Sequence, residues 1–235
     1  MSILLEKLLN IRPKIEQLLP AQPCFLCHAA SRNGILCAAC DSGLPYLTEP
    51  HCPICALPTA RGDICGRCLQ NTPEFDHTLA VFSYEFPLDK LVHAVKFAAY
   101  LILIENLAVK MTQHIEHQPD CIIPMPLHPA RLRQRGFNQS LELARQIGKR
   151  MDIPVLCDAS QRVRDTPPQS SLNWNQRSKN MHRAFTCTQD LSGKHVAVVD
   201  DVMTSGASLN ELGRTLRQAG ARKVSAWVIA RTLPR

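Results

Sequence analysis

Two adjacent carboxylates, Asp200 and Asp201, stand just ahead of a run of small and hydroxylated residues, Thr204, Ser205, Gly206, Ala207 and Ser208. The small-residue run offers hydroxyls and closely approachable backbone N–H groups, the donors a phosphate needs. The carboxylates can accept hydrogen bonds from two neighbouring ribose hydroxyls, or help hold Mg2+ beside a pyrophosphate. Together they describe a cradle for a ribose 5-phosphate. The candidate catalytic residues are Asp200 and Asp201, and the candidate phosphate loop is residues 204–208.

A second set of residues has metal chemistry. Cys24, Cys27, Cys37, Cys40, Cys52, Cys55, Cys65 and Cys68 form four Cys-x-x-Cys pairs. A displacement of 28 residues lays the first two pairs on the last two, together with Leu26 on Ile54, Gly34 on Gly62 and Leu36 on Ile64. This is an internal duplication. Each pair can present two thiolates to one tetrahedral Zn2+, and two pairs complete a closed structural site. Two structural zinc ions are expected. The repeat favours sequential pairing and leaves a cross-brace open. With few apolar residues between the pairs, metal binding is expected to supply the folding energy of the segment. Three basic residues face five acidic ones in residues 20–77, so this module is negative and suits a lid or protein contact better than a phosphate grip.

These groups need elements to hold them. Residues 195–199 read as a buried parallel strand and 207–218 as a helix, which puts the phosphate loop where α/β proteins place ligands. Upstream, residues 78–86 alternate like a strand, 88–97 and 100–117 have helical spacing, and 120–126 form a short strand running into a Pro-rich loop. The loop continues through residues 127–140 into a helix ending near Arg150. Residues 155–157 and 223–230 are two further strands. The sequence therefore predicts an N-terminal amphipathic helix in residues 1–20, a cysteine module in 21–77 and an α/β domain in 78–235. The lone thiols Cys121, Cys157 and Cys187 read as inert.

Charge is concentrated. Eleven Lys/Arg against four Asp/Glu between Arg131 and Arg183 account for the whole net charge of +7. An anionic partner, a phosphorylated metabolite or nucleic acid, is expected there. Arg131, Arg133 and Arg135 alternate beside a helix start and would repel one another unless an anion lies among them. Asn138 and Gln139 follow. Arg162, Arg164, Thr166, Gln169, Arg177, Lys179, Asn180 and Arg183 lie in or beyond a Pro- and Ser-containing segment that reads as a mobile loop. Lys96, at a helix end, could reach a phosphate, with an exposed lysine as the commoner outcome for such a position. No stretch of about 18 apolar residues occurs, so a membrane span is not expected and the cytoplasm is the expected location.

The stretch Val198-Val-Asp-Asp-Val-Met-Thr-Ser-Gly-Ala-Ser208 resembles the phosphoribosyl pyrophosphate (PRPP) motif of type I phosphoribosyltransferases. Four motifs in order, the tandem cysteine module, Pro124-Met-Pro-Leu-His with Arg131-x-Arg133-x-Arg135-Gly-Phe-Asn-Gln139, Arg162-x-Arg164-x-Thr166-x-x-Gln169, and the PRPP motif, resemble the competence protein F family. The resemblance implies a type I phosphoribosyltransferase-like parallel sheet flanked by helices, preceded by a double zinc ribbon. It implies PRPP with Mg2+ at Asp200, Asp201 and residues 204–208, and pyrophosphate or DNA contacts at Arg131, Arg133, Arg135, Asn138, Gln139, Arg164 and Arg177. It also implies a role in natural transformation, handling incoming single-stranded DNA. Two other readings stand beside it: an active transferase with an unidentified acceptor, and a zinc-module adaptor for a competence helicase or translocation protein. The aromatic residues of the basic stretch are Phe137, Trp174 and Phe185, of which Phe137 or Trp174 could stack on bases or equally belong to the core.

Overall fold

A computed structural model describes residues 21–32, 34–98, 100–165 and 181–234. The amphipathic segment of residues 1–20 lies outside them, as do Thr166, Gln169, Trp174, Arg177, Lys179 and Asn180. The chain divides into two compact units, Met1–Leu44 and Pro45–Arg235.

The first unit carries the antiparallel pair β1 (Gln22–Pro23) and β2 (Ala30–Ser31) and a single helical turn, α1 (Ala38–Ser42). The second unit opens with the second cysteine segment and its own turn, α2 (Gly66–Gln70). An α/β body follows.

The body is built on a four-stranded parallel sheet. Its strands are β3 (His77–Ser83), β4 (Cys121–Pro124), β7 (His195–Met203) and β8 (Lys223–Arg231), in spatial order β3-β8-β7-β4. Residues 224–231 of β8 are all buried, as expected of a central parallel strand covered on both faces. Burying each Val, Ile or Leu of such a strand stabilises by about 1.5–3 kcal/mol. Val155 extends the β4 edge through a parallel bridge to Ile122, so the strand expected at 155–157 is reduced to one bridge.

Helices α3 (Leu88–Ala98), α4 (Leu101–Thr112), α6 (Gln139–Met151) and α7 (Ala207–Gln218) cover the sheet. In α6, Leu143, Ala144 and Ile147 are buried on one face at helical spacing. Gly148 lets that helix press on the sheet edge: a Cβ there would meet Val155 Cγ2 at 2.4 Å and the Ile153 carbonyl oxygen at 2.8 Å. This contact fixes the helix whose first residues reach the acidic pair.

Three sequence expectations are corrected. Residues 129–135, read as loop, form helix α5 (Pro129–Arg135), with His128 as N-cap, Pro129 in the first turn and left-handed Gly136 as C-cap. Arg162 is not on a mobile loop. It ends β5 (Ser160–Arg162), which pairs antiparallel with β6 (Phe185–Cys187), and it is buried near the Phe185 ring. Phe185 is itself core, so it offers no face for stacking.

The third correction concerns the second cysteine segment, which was expected to lack a hydrophobic core. Cys52, Cys55, Ala56, Cys68 and Phe75 join Met203, Leu209, Leu212 and Val228 in one buried cluster. The segment is too short to enclose a core of its own, and it shares the one beneath α7.

Candidate functional site

The cysteines form two separate clusters, Cys24, Cys27, Cys37, Cys40 and Cys52, Cys55, Cys65, Cys68, each with all four sulfurs within 4.8 Å of one another. Pairing is therefore sequential, and the cross-brace is excluded. The duplication is visible atom by atom. Cys27 Sγ lies 3.6 Å from Cys37 Sγ, and Cys55 Sγ lies 3.6 Å from Cys65 Sγ. The Cys37 N–H donates to Cys24 Sγ at 3.3 Å, and the Cys65 N–H to Cys52 Sγ at 3.4 Å. His28 and Ala56, 28 residues apart, both take the left-handed conformation that closes the first knuckle of each cluster.

Burial disfavours the Cys24 thiolate, but the N–H groups of Cys27 and Cys37 outweigh it and bring the thiol down to about 6. The N–H groups of Cys65 and Cys55 likewise bring Cys52 to about 7 against its burial. Four converging sulfurs with N–H donors to the thiolates fit a tetrahedral zinc.

The acidic pair sits on the strand itself, because β7 runs on through Asp200 and Asp201 to Met203. Helix α6 meets it end-on. Its N-cap Asn138 accepts from the Ser140 N–H and donates its side-chain amide to the Met125 carbonyl just past β4, which pins the helix start beside β7. The Ser140 hydroxyl then donates to Asp200 Oδ1 at 2.9 Å, and Gln139 Nε2 donates to Asp201 Oδ2 at 3.0 Å. From α3, Lys96 Nζ approaches the same Asp201 Oδ2 at 2.9 Å. The remaining oxygen, Asp201 Oδ1, accepts from the Val202 N–H.

The two carboxylates are thereby made different. Burial and the neighbouring Asp201 charge push the Asp200 carboxyl up to about 7, against the Ser140 hydroxyl, the Asp201 N–H and Lys96. Burial works against the Lys96 ammonium, but Asp201 outweighs it and raises its pKa. Asp201 is compensated and buried, whereas Asp200 is able to change its charge near neutrality.

After Met203 the chain turns through residues 204–208 into α7. Gly206 is the N-cap, with φ 80°. The Ser205 hydroxyl accepts from the Ala207 N–H at 3.3 Å, and Asp200, Thr204, Gly206, Ala207 and Ser208 line one small concavity. Acidic pair, loop and helix N-terminus thus meet at the carboxyl end of the sheet.

The arginines of α5 separate. Arg135 donates to Gln139 Oε1 at 2.6 Å and lies over the Phe97 ring, which ties it to the acidic pair. Arg131 Nε stands 4.0 Å from Asp165 Oδ1. Arg133 is exposed, and so is Arg164, which donates to the His182 carbonyl. Sequence reasoning left Lys96 between a phosphate contact and an exposed lysine and did not foresee its carboxylate partner, nor the roles of Ser140 and of Arg231 beside the loop. Nothing in their local sequence signals these long-range contacts.

Residues 15–69 match the double zinc ribbon domain model, and residues 134–233 match the phosphoribosyl transferase domain model. Fold and clusters together define a double zinc ribbon joined to a phosphoribosyltransferase domain. Similar curated proteins are the DNA utilization protein YhgH of Shigella flexneri, 33% identical over 89% of this chain and 97% of that protein, and competence protein F of Haemophilus influenzae, 31% identical over 86% and 92%. Competence protein ComFC of Streptococcus pneumoniae is 26% identical over 85% and 89%. The chain belongs to the competence protein F family. Among the described residues no helix is long and apolar enough to cross a membrane.

Proposed function

We propose that this protein binds PRPP at the end of β7 and handles single-stranded DNA entering the cytoplasm during natural transformation. One observation carries the pocket: near the end of a parallel strand, Asp200 shares one concavity with Thr204, Ala207 and Ser208 at the start of a Gly206-capped helix, which suits one ligand that needs both a carboxylate and backbone N–H donors. Asp200 accepts from the ribose hydroxyls, residues 204–208 hold the 5-phosphate, and Mg2+ accompanies the pyrophosphate. The matched relatives named for competence and DNA utilization support the biological role.

Binding is favoured over turnover by Lys96. A transferase would direct carboxylate charge at the developing ribosyl cation, and the Asp201 charge is already compensated by the Lys96 ammonium. DNA contact falls to the basic stretch, where Arg133 and Arg164 face solvent.

The test is fluorescence anisotropy of a labelled single-stranded oligonucleotide across a salt series, with and without PRPP and Mg2+. Salt-sensitive binding that PRPP alters supports the reading, and the absence of binding at low salt removes the DNA role. Release of pyrophosphate from PRPP with a defined acceptor would instead establish a transferase.

A further inference from the structure

The two cysteine clusters are duplicates in sequence, yet only the second shares a compact unit with the phosphate loop. One buried side chain reaches both that cluster and the loop. Arg231, the last residue of β8, is 1% exposed and ranks among the largest fully buried side chains of the described residues. Its Nε donates to the carbonyl of Cys55 at 2.8 Å. Its Nη1 donates to the carbonyl of Met203 at 2.7 Å, and also to those of Thr204 and Thr232. One guanidinium thus holds both the first knuckle of the second cluster and the start of the phosphate loop.

Other contacts run the same way. Thr78 of β3 donates twice to the same knuckle, its N–H to the Pro53 carbonyl at 3.0 Å and its hydroxyl to the Ile54 carbonyl. From α2, Arg67 donates to the carbonyl of Ser205 at 3.0 Å. The carbonyls of Met203, Thr204 and Ser205 are all held by arginines.

Charge explains why the pairing is with a metal cluster. A buried guanidinium requires anionic compensation, and the acceptors of Arg231, the carbonyls of Cys55, Met203, Thr204 and Thr232, are all neutral. Cys52, Cys55, Cys65 and Cys68 would hold a Zn(Cys)4 centre whose formal charge of about −2 would supply it.

We infer that the second cysteine cluster is a working part of the phosphate loop, and that Arg231 is the positioning residue that transmits its order to residues 203–206. The inference rests on the assignment of that loop to a phosphate.

The test is hydrogen–deuterium exchange on the full chain, comparing amides of residues 203–208 with those of 224–229 in the interior of β8. Four samples are needed: zinc-loaded wild type, wild type stripped by a chelator, Arg231→Met and Arg231→Lys. Stripping and Arg231→Met are each expected to speed exchange in 203–208 by about tenfold or more while 224–229 stay protected, with Arg231→Lys intermediate because it keeps the charge but not the fork. The PRPP affinity of Arg231→Met is expected to fall by about tenfold in parallel.

Unchanged protection of the loop, or equal loss in both segments, would overturn the inference. If Arg231→Met does not fold, Arg231→Lys and the stripped wild type make the same comparison. The exchange readout needs no ligand. A wild type that binds no PRPP would end the assignment of the pocket, while the coupling would still stand or fall on exchange.

Discussion

Lys96 Nζ lies 2.9 Å from Asp201 Oδ2, on side chains that expose 22% and 8% of their surface. The acidic pair is therefore half neutralised by the protein itself, across 105 positions of sequence. Breaking a buried pair by removing one member leaves an uncompensated charge, so Lys96→Met is expected to lower stability by about 3 kcal/mol. The double variant Lys96→Met/Asp201→Asn should recover most of that loss. Because the pairing raises the ammonium pKa, its contribution is intact below the ordinary value of 10.5 and is lost as pH rises through the raised one. Urea unfolding of the single and double variants measures this directly.

Asp200 shows the same sense at lower pH. Its folded carboxyl titrates near 7 against an ordinary 3.8, so the folded state keeps a proton that the unfolded chain releases. Stability from this group is full below the ordinary value and declines as pH rises from there to about 7. Ligand binding needs the carboxylate, so PRPP affinity is expected to rise over the same upper range. Asp200→Asn should flatten that pH profile and weaken binding, as calorimetry at several pH values would show.

Gly206 holds φ 80°, and a Cβ at that position would meet the Met203 methyl at 2.7 Å. Gly206→Ala is expected to cost about 1–2 kcal/mol from the left-handed backbone alone. Relieving the strain reshapes the loop, so PRPP affinity should fall by about tenfold or more while zinc content is unchanged. Thermal unfolding, a PRPP titration and a metal assay check the three parts.

The α5 arginines should divide by environment. Arg133→Ala removes an exposed charge and is expected to weaken single-stranded DNA binding for all sequences, reducing the salt slope by about 0.7. Arg135→Ala removes the partner of Gln139 and should weaken PRPP binding as well. Anisotropy and calorimetry on the two variants distinguish the effects. Equal behaviour of both would refute the separation.

What could be read from sequence was local. The strand, acidic pair, loop and helix from residue 195 to 218 are contiguous, so their chemistry and order are legible in residue types alone. The cysteine clusters were legible because spacing recurs 28 residues apart, a signal independent of packing. Helix α5 was missed although Pro129 and Gly136 are start and stop signals, because its alternating arginines suggested an exposed loop.

The partners of Asp201 and the loop carbonyls were not legible for a different reason. Lys96 and Arg231 are long basic side chains whose local sequence suggests solvent, and only the folded sheet shows that each ends against a buried acceptor. The second ribbon posed the same problem: its few apolar residues look insufficient until the core under α7 is added to them.

The central claim is a phosphoribosyl pocket at the end of β7, and titration calorimetry of PRPP with Mg2+ into the zinc-loaded full chain tests it most directly. Saturable binding at one site per chain, weakened about tenfold or more by Asp200→Asn and by Gly206→Ala, is the predicted result. No binding up to about 1 mM PRPP, or binding that both substitutions leave intact, would contradict it.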